Sequence, residues 1–293
     1  MNKIINYFKL IRVKHWIKNL LVFLPIVFSK NLFSNDLFIK SILAFFVFSF
    51  TSSIVYIIND ITDIEKDKLH PDKCKRPLPS GKVSKLEAYV LCMILFVVTI
   101  LLILFTSDIN NILYLGIVPL AYLILNILYS KILKHIAIID VFVIVIGFLL
   151  RVIYGAVSTG IEISNWLYLM IIFLSFYLAF GKRRNEIMQN GTVSRKSLEK
   201  YNKEFLDKNM YMCLALAITN YSLWCVDINT IQRVGNNYLI WSILLLMGIL
   251  FTYSLDVENE SNGDPVEVVV HNKLLLLLIL LFCAYMYVVI YII

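Results

Sequence analysis

Residues 38–67 read FIKSILAFFVFSFTSSIVYIINDITDIEKD, an apolar run broken only by Lys40 that ends in a cluster of acids. The run 38–58 has the roughly 20 residues a helix needs to cross a hydrocarbon core, so the acids emerge where that helix meets water. If the helix continues at about 100° per residue, Asn59, Asp60, Asp63 and Asp67 fall within an arc of about 100°, and Glu65 points the other way. Asp60 and Asp67 then stand about 10 Å apart along the axis, room for one or two Mg²⁺ ions with a diphosphate between them. Carboxylates crowded onto one face repel one another unless a cation neutralises them. Lys66, Lys68, Lys73, Lys75 and Arg76 follow at once. The alternative is a solvated charged loop capping a membrane helix. Helical spacing of the acids, with the bases segregated after them, favours the metal site.

Apolar runs recur along all 293 residues. Hydrophobic residues make up 60% of the chain and charged residues 16%, with a mean hydropathy of +0.79, which excludes a soluble globular protein and predicts an all-α integral membrane protein. Nine runs approach spanning length, at about 16–33, 38–58, 86–106, 112–129, 136–157, 166–181, 210–226, 238–255 and 274–293. Of the 27 Lys and Arg, only Lys30, Lys40 and Arg233 fall in one set of alternate loops, and Arg151 lies inside a span. The other 23 therefore share one side, which the positive-inside rule assigns to the cytoplasm together with the N-terminus. The C-terminus is then outside. Topology already explains the net charge of +7, so no nucleic-acid partner is needed.

Cys74, Cys92, Cys213, Cys225 and Cys283 form no CxxC or Cys/His pattern and read as small hydrophobes. The first apolar run contains Lys18 and Pro25 and lacks a small-residue cleavage site, so no cleavable signal peptide is expected. Pro25 is expected to kink that span. Before it, Ile4, Phe8 and Ile11 interleave with Lys3, Lys9, Arg12 and Lys14, the pattern of a short interfacial helix over about 1–14.

Several further charged groups are candidates for phosphate or substrate contact. Lys18 and Asn19, at the cytoplasmic mouth of the first span, either anchor the interface with Trp16 or line the same site as Asp60. The loop 70–81 contains three prolines and a glycine, so it is a stiff turn in which Lys73 and Arg76 are natural phosphate ligands beside the acids. Lys134 sits in the short turn 129–135 and is a further candidate. Asp140 and Arg151, eleven residues apart, return to nearly one helical face with Gly147 and Gly155. They contact substrate or form a buried ion pair. After the sixth span, Lys182, Arg183 and Glu186 make a second charged centre, a cationic one. The acidic stretch 256–267 covers the cavity or is merely solvated.

The Asn59-Asp60-x-x-Asp63-x-x-x-Asp67 signature in a nine-span chain resembles the UbiA superfamily of intramembrane prenyltransferases. Three more stretches, Arg12–Asn19, Asp67-x-x-His70-Pro71-x-Lys73-x-x-Arg76-Pro77 and Gly147–Gly155, look like the branch typified by decaprenyl-phosphate phosphoribosyltransferases, as does Gly263-Asp264-Pro265-x-Glu267. Where typical aromatic prenyltransferases carry a second Asp-rich DxxxD motif, this chain reads Gly181-Lys182-Arg183-Arg184-Asn185-Glu186. Asn272 departs from the acid more common in that branch.

The resemblance implies one transmembrane domain over 1–293, with helices around a lipid-accessible central cavity and an active site on the cytoplasmic face of a bacterial-type plasma membrane. It also implies a Mg²⁺-dependent transfer of 5-phosphoribose from phosphoribosyl diphosphate to a polyprenyl phosphate. Metal would be held by Asp60, Asp63 and Asp67, with Asn59, Lys73 and Arg76 assisting and Lys182 and Arg183 positioning a phosphate. Prenyl transfer from a prenyl diphosphate to an aromatic or other acceptor is the alternative, because both reactions break a C–O bond to diphosphate. A transporter is the remote one, and no inverted repeat supports it. Isoprenoid length and oligomeric state, a homo-oligomer included, are left open.

Overall fold

A computed structural model of the chain describes residues 3–69, 73–106, 111–190, 196–258 and 265–293, and every regular element among the described residues is a helix. The chain divides into two compact units, one made of residues 1–27, 31–131 and 150–161, the other of 28–30, 132–149 and 162–293. The first opens with α1 (Lys3–Leu10), a 3₁₀ helix over Val13–Phe23 and α2 (Leu24–Phe28). It continues through α3 (Asn35–Thr62), α4 (Ile64–Lys68), a 3₁₀ turn at Lys73–Lys75, α5 (Lys85–Thr106) and α6 (Ile112–Lys131). The C-terminal half of α7 (Ile139–Thr159) completes it.

α3 organises this unit, packing against the 3₁₀ helix, α5 and α6. Its 28 residues span about 42 Å, more than the ~30 Å of a hydrocarbon core, so its polar ends reach toward water. An Asp36–Lys40 pair of 3.0 Å marks one end and the acidic stretch the other. Beneath the acids, buried Leu10, Ile11, Ile57, Ile64 and Leu78 pack into one apolar cluster, which fixes three separate chain segments relative to one another. Deeper in the unit, α7 meets the 3₁₀ helix at Gly155, where a Cβ would fall 2.0 Å from the Val22 carbonyl oxygen. Only glycine permits that approach. α1 leaves Ile4, Ile5 and Phe8 exposed and is tied down by Lys3, which donates to Glu87 at 2.9 Å.

The second unit holds the N-terminal half of α7, α8 (Asn165–Asn190), a 3₁₀ turn at Lys196–Lys200, α9 (Lys203–Val226) and α10 (Ile228–Val234). A 3₁₀ turn at Tyr238–Trp241 leads into α11 (Ser242–Glu258), followed by α12 (Pro265–His271), α13 (Lys273–Tyr287) and a terminal π turn at Val288–Ile292. α8 packs chiefly on α9, and α11 on α13. Buried hydroxyl pairs tie helices together, Tyr177 to Ser254 at 2.5 Å and Tyr221 to Ser242 at 2.6 Å. Such polar links suit a lipid environment, where apolar packing alone distinguishes poorly between helix and lipid.

Among the described residues, seven helices are long and apolar enough to cross a membrane, and α9 with α10 makes an eighth, bent by 59° at Asp227. Of the other expected span, 16–33, residues 16–28 are helical but mixed, and 29–33 form turns. Its 3₁₀ portion rises ~2.0 Å per residue, so Val13–Phe28 still extends about 30 Å. The switch to α geometry comes at Leu24, one residue before Pro25, where the missing proline N–H is tolerated at a helix start.

Candidate active site

The acidic stretch is not one continuous helix. α3 ends at Thr62, and Asp63 caps it at φ −99°, ψ 11°, its amide donating to the Asn59 carbonyl at 3.0 Å. α4 then restarts, with the Asp67 amide on the Asp63 carbonyl at 2.8 Å. Acids at a helix C-terminus face the negative end of its dipole, which disfavours running α3 on through them. The single 100° arc is therefore replaced by two short helical frames, yet two of the acids still meet. Arg76 Nη1 donates to Asp67 Oδ2 at 2.7 Å and to Asp60 Oδ1 at 3.3 Å, so both carboxylates share one cationic partner. Both are buried, Asp60 at 3% and Asp67 at 4% exposure. Lys73 adds longer-range charge, its Nζ 3.9 Å from Asp67 Oδ1. Asn59 and Asp63 are half-buried.

Arg12, which reads in the sequence as one more interfacial base, is the second partner of Asp60, with Nη2 2.5 Å from Oδ1. Its backbone is left-handed, at φ 53°, a conformation that costs of order 1–3 kcal/mol for a non-glycine residue. The surroundings hold it there. Ser53 of α3 donates to the Ile11 carbonyl at 2.8 Å and accepts from Trp16 Nε1 at 3.1 Å, and the guanidinium lies 4.6 Å from the Tyr56 ring centroid. The hints in the sequence were its position close before the run Trp16–Asn19 and its place in the stretch Arg12–Asn19 that carries the family resemblance.

Two oxygen donors that converge on one cation have the chemistry a hard divalent ion requires. Among the described residues no three His, Cys, Asp or Glu side chains form a complete cage. Mg²⁺ does not need one, since it characteristically takes one or two carboxylates and fills its remaining positions with water and substrate phosphate oxygens. The donor set fits that ion.

Arg151 and its partners lie in the same unit, within the span. Its Nε donates to Asn19 Oδ1 at 2.8 Å and its Nη2 to Tyr122 Oη at 3.0 Å, with the Phe48 and Tyr122 rings 5.2 and 4.9 Å away. Asn19, 1% exposed, in turn donates to Ser49 of α3 at 3.0 Å. Asn19 is thus a buried bracket for Arg151, and Lys18 beside it is half-buried.

The second unit carries the cationic stretch. Arg183, 1% exposed, donates from Nε to Asp140 Oδ2 at 2.6 Å and from Nη1 to Glu186 Oε2 at 2.7 Å. Asp140 therefore pairs with Arg183, and the two charges of α7 are sorted into different units. Asp140 Oδ1 accepts from Tyr201 Oη at 2.7 Å, and Tyr201 Oη accepts from the Ile138 amide at 2.5 Å. Burial, with the hydrogen bond to Asp140, pushes the Tyr201 phenol well above its usual range, so it remains a donor. Arg184 binds Asp207 at 2.6 Å and the Val257 carbonyl at 3.2 Å. Lys182 is half-buried, and Lys134 is half-buried with its carbonyl accepting from Ser197 Oγ at 3.0 Å. Tyr201 and Asp207 carry no motif. Asn272 caps α13 and donates to Asp256 at 2.6 Å, a bond that a carboxylate there would replace with repulsion. His70, Pro71, Gly263 and Asp264 lie outside the described residues.

A model of the UbiA prenyltransferase family matches residues 21–269. The chain belongs to that family. Among its UbiA relatives, the decaprenyl-phosphate phosphoribosyltransferase of Corynebacterium glutamicum is 33% identical over 287 residues, covering 95% of this chain and 85% of the relative. The protein of the same name from Mycobacterium tuberculosis H37Rv is 30% identical, covering 97% and 93%. The solved structure of a UbiA homologue from Archaeoglobus fulgidus, bound to GPP and Mg²⁺, matches with a TM-score of 0.66 over 97% of this chain and 99% of that one. At 18% identity that likeness speaks to the UbiA fold.

Proposed function

We propose that this chain is a Mg²⁺-dependent phosphoribosyltransferase, moving 5-phosphoribose from phosphoribosyl diphosphate to a polyprenyl phosphate such as decaprenyl phosphate and releasing diphosphate. The reading rests on likeness over nearly the whole chain to enzymes named decaprenyl-phosphate phosphoribosyltransferase. The cationic stretch 182–184, standing where a second aspartate motif is expected of prenyl-diphosphate users, supports it. A donor with a 5-phosphate beyond its diphosphate calls for cations.

In the reaction a phosphate oxygen of the lipid forms a bond to C1 of the ribose, while the C1–O bond to diphosphate breaks and the diphosphate departs with the electron pair. Bound Mg²⁺ would neutralise the charge gathering on that diphosphate, and Asp60, Asp63 and Asp67 are the residues that would hold it. Arg12, Arg76 and Lys73, which balance those carboxylates, would turn part of their hydrogen bonding to diphosphate oxygens. The lipid phosphate is already anionic near neutral pH, so no strong general base is required. Lys134, Lys182 and Arg183 are assigned by their chemistry to a phosphate of the donor or the acceptor. Orientation follows from charge: the positive-inside rule puts the basic loops in the cytoplasm, where a water-soluble donor is available. The family match spans both compact units, which supports a single functional domain.

The test offers purified protein two labelled donors, phosphoribosyl diphosphate with polyprenyl phosphate, and prenyl diphosphate with aromatic acceptors. Organic-extractable product is expected from the first pair only. Product from the second pair alone would overturn the reading.

A further inference from the structure

Ile138 is a β-branched residue at φ 72°, where such side chains are genuine outliers. Strain of this kind persists only where surrounding contacts over-determine it, and it concentrates at working sites. The Ile138 carbonyl starts α7, accepting from the Val141 and Phe142 amides at 3.0 Å, and its amide is held by one side-chain oxygen. Tyr201 Oη accepts from the Ile138 amide at 2.5 Å and donates to Asp140 Oδ1 at 2.7 Å, and Asp140 passes the connection to Arg183 at 2.6 Å and thence to Glu186 at 2.7 Å. The same segment fastens the turn a second time, Ser197 Oγ donating to the Lys134 carbonyl at 3.0 Å. The clasp thus joins the turn that carries Lys134 to the network that carries Arg183. The Tyr201 ring is itself seated on Phe205, centroids 6.0 Å apart.

We infer that Tyr201 is a positioning residue: its hydroxyl holds Ile138 in the left-handed conformation and Asp140 in its pairing with Arg183, and so sets Lys134 and Arg183 for an anionic phosphate of the donor. This rests on the phosphoribosyl-transfer reading. Tyr201 touches no substrate atom in this role. A chain with a relaxed residue at 138 would need the hydroxyl less.

Tyr201→Phe removes only the oxygen and keeps the ring on Phe205. Loss of a hydrogen bond to a charged group corresponds to about 10- to 100-fold, and we expect it as a rise in KM for phosphoribosyl diphosphate with kcat changed less than about threefold. Because glycine adopts positive φ freely, Ile138→Gly added to Tyr201→Phe should recover the part of the lost affinity that comes from strain at 138, leaving the part owed to the Asp140 bond. Amide hydrogen exchange over 132–141 gives a readout independent of the reaction, and it should be faster in Tyr201→Phe than in the parent. An unchanged KM together with unchanged exchange would overturn the inference. So would a fall in kcat as large as the rise in KM that Ile138→Gly does not rescue, which is the mark of a merely structural tyrosine. If the parent protein transfers no phosphoribose, the functional reading fails, and the exchange rates still decide whether Tyr201 holds Ile138.

Discussion

Asp60→Asn is expected to lower kcat/KM by about 10²- to 10³-fold or more, the range seen when one preorganised electrostatic group is taken from a reacting centre. The substitution keeps shape and removes charge. Asp60 sits at 3% exposure between Arg12 and Arg76, so its carboxylate both balances two guanidinium groups and presents oxygen to a divalent ion. Asparagine does neither well. The measurement is steady-state transfer at saturating Mg²⁺, with size-exclusion elution and helical content checked against the parent. Glu65→Gln is the control, because Glu65 is 78% exposed and its partner among the described residues is Lys68 on its own helix turn, at 3.1 Å. It should remain within about twofold of the parent, as surface pairs contribute little. Parental turnover in a folded Asp60→Asn protein would remove the metal-site assignment.

Arg183→Leu should cost about 3–5 kcal/mol of stability, the penalty for stripping one partner from a buried ion network. Two carboxylates depend on this side chain. Asp140 is fully buried and Glu186 is 16% exposed, and both would be left facing an apolar side chain. Thermal unfolding in detergent reads the effect, and Arg183→Lys, which keeps the charge and loses the fork geometry, should fall between the two. An Arg183→Leu protein that unfolds at the parental midpoint would contradict the place of Arg183 at the centre of the network.

Much of the fold was legible because lipid imposes a length and a polarity on each span, and 86–106 or 274–293 admit little else. The 3₁₀ character of Val13–Phe23 was not legible, since a 3₁₀ run and an α run can share one apolar composition. The acids of α3 announced themselves by spacing, but the break at Asp63 follows from dipole and packing terms that spacing does not carry. Arg12 opened a stretch that carries the family resemblance, but as one base among five near the first span its partner was not legible until the left-handed backbone and Asp60 gave it a place. The eleven-residue offset of Asp140 and Arg151 suggested a shared face. Their partners, Arg183 for one and Asn19 with Tyr122 for the other, are tertiary choices that no local pattern encodes.

Position-specific labelling is the most direct measurement of the chemistry. Phosphoribosyl diphosphate carrying one label in its 5-phosphate and another in its diphosphate is incubated with protein, Mg²⁺ and polyprenyl phosphate, then extracted into organic solvent. The 5-phosphate label should enter the lipid phase while an equal amount of the second label stays in water as free diphosphate. Both labels left in water would contradict transfer of the sugar.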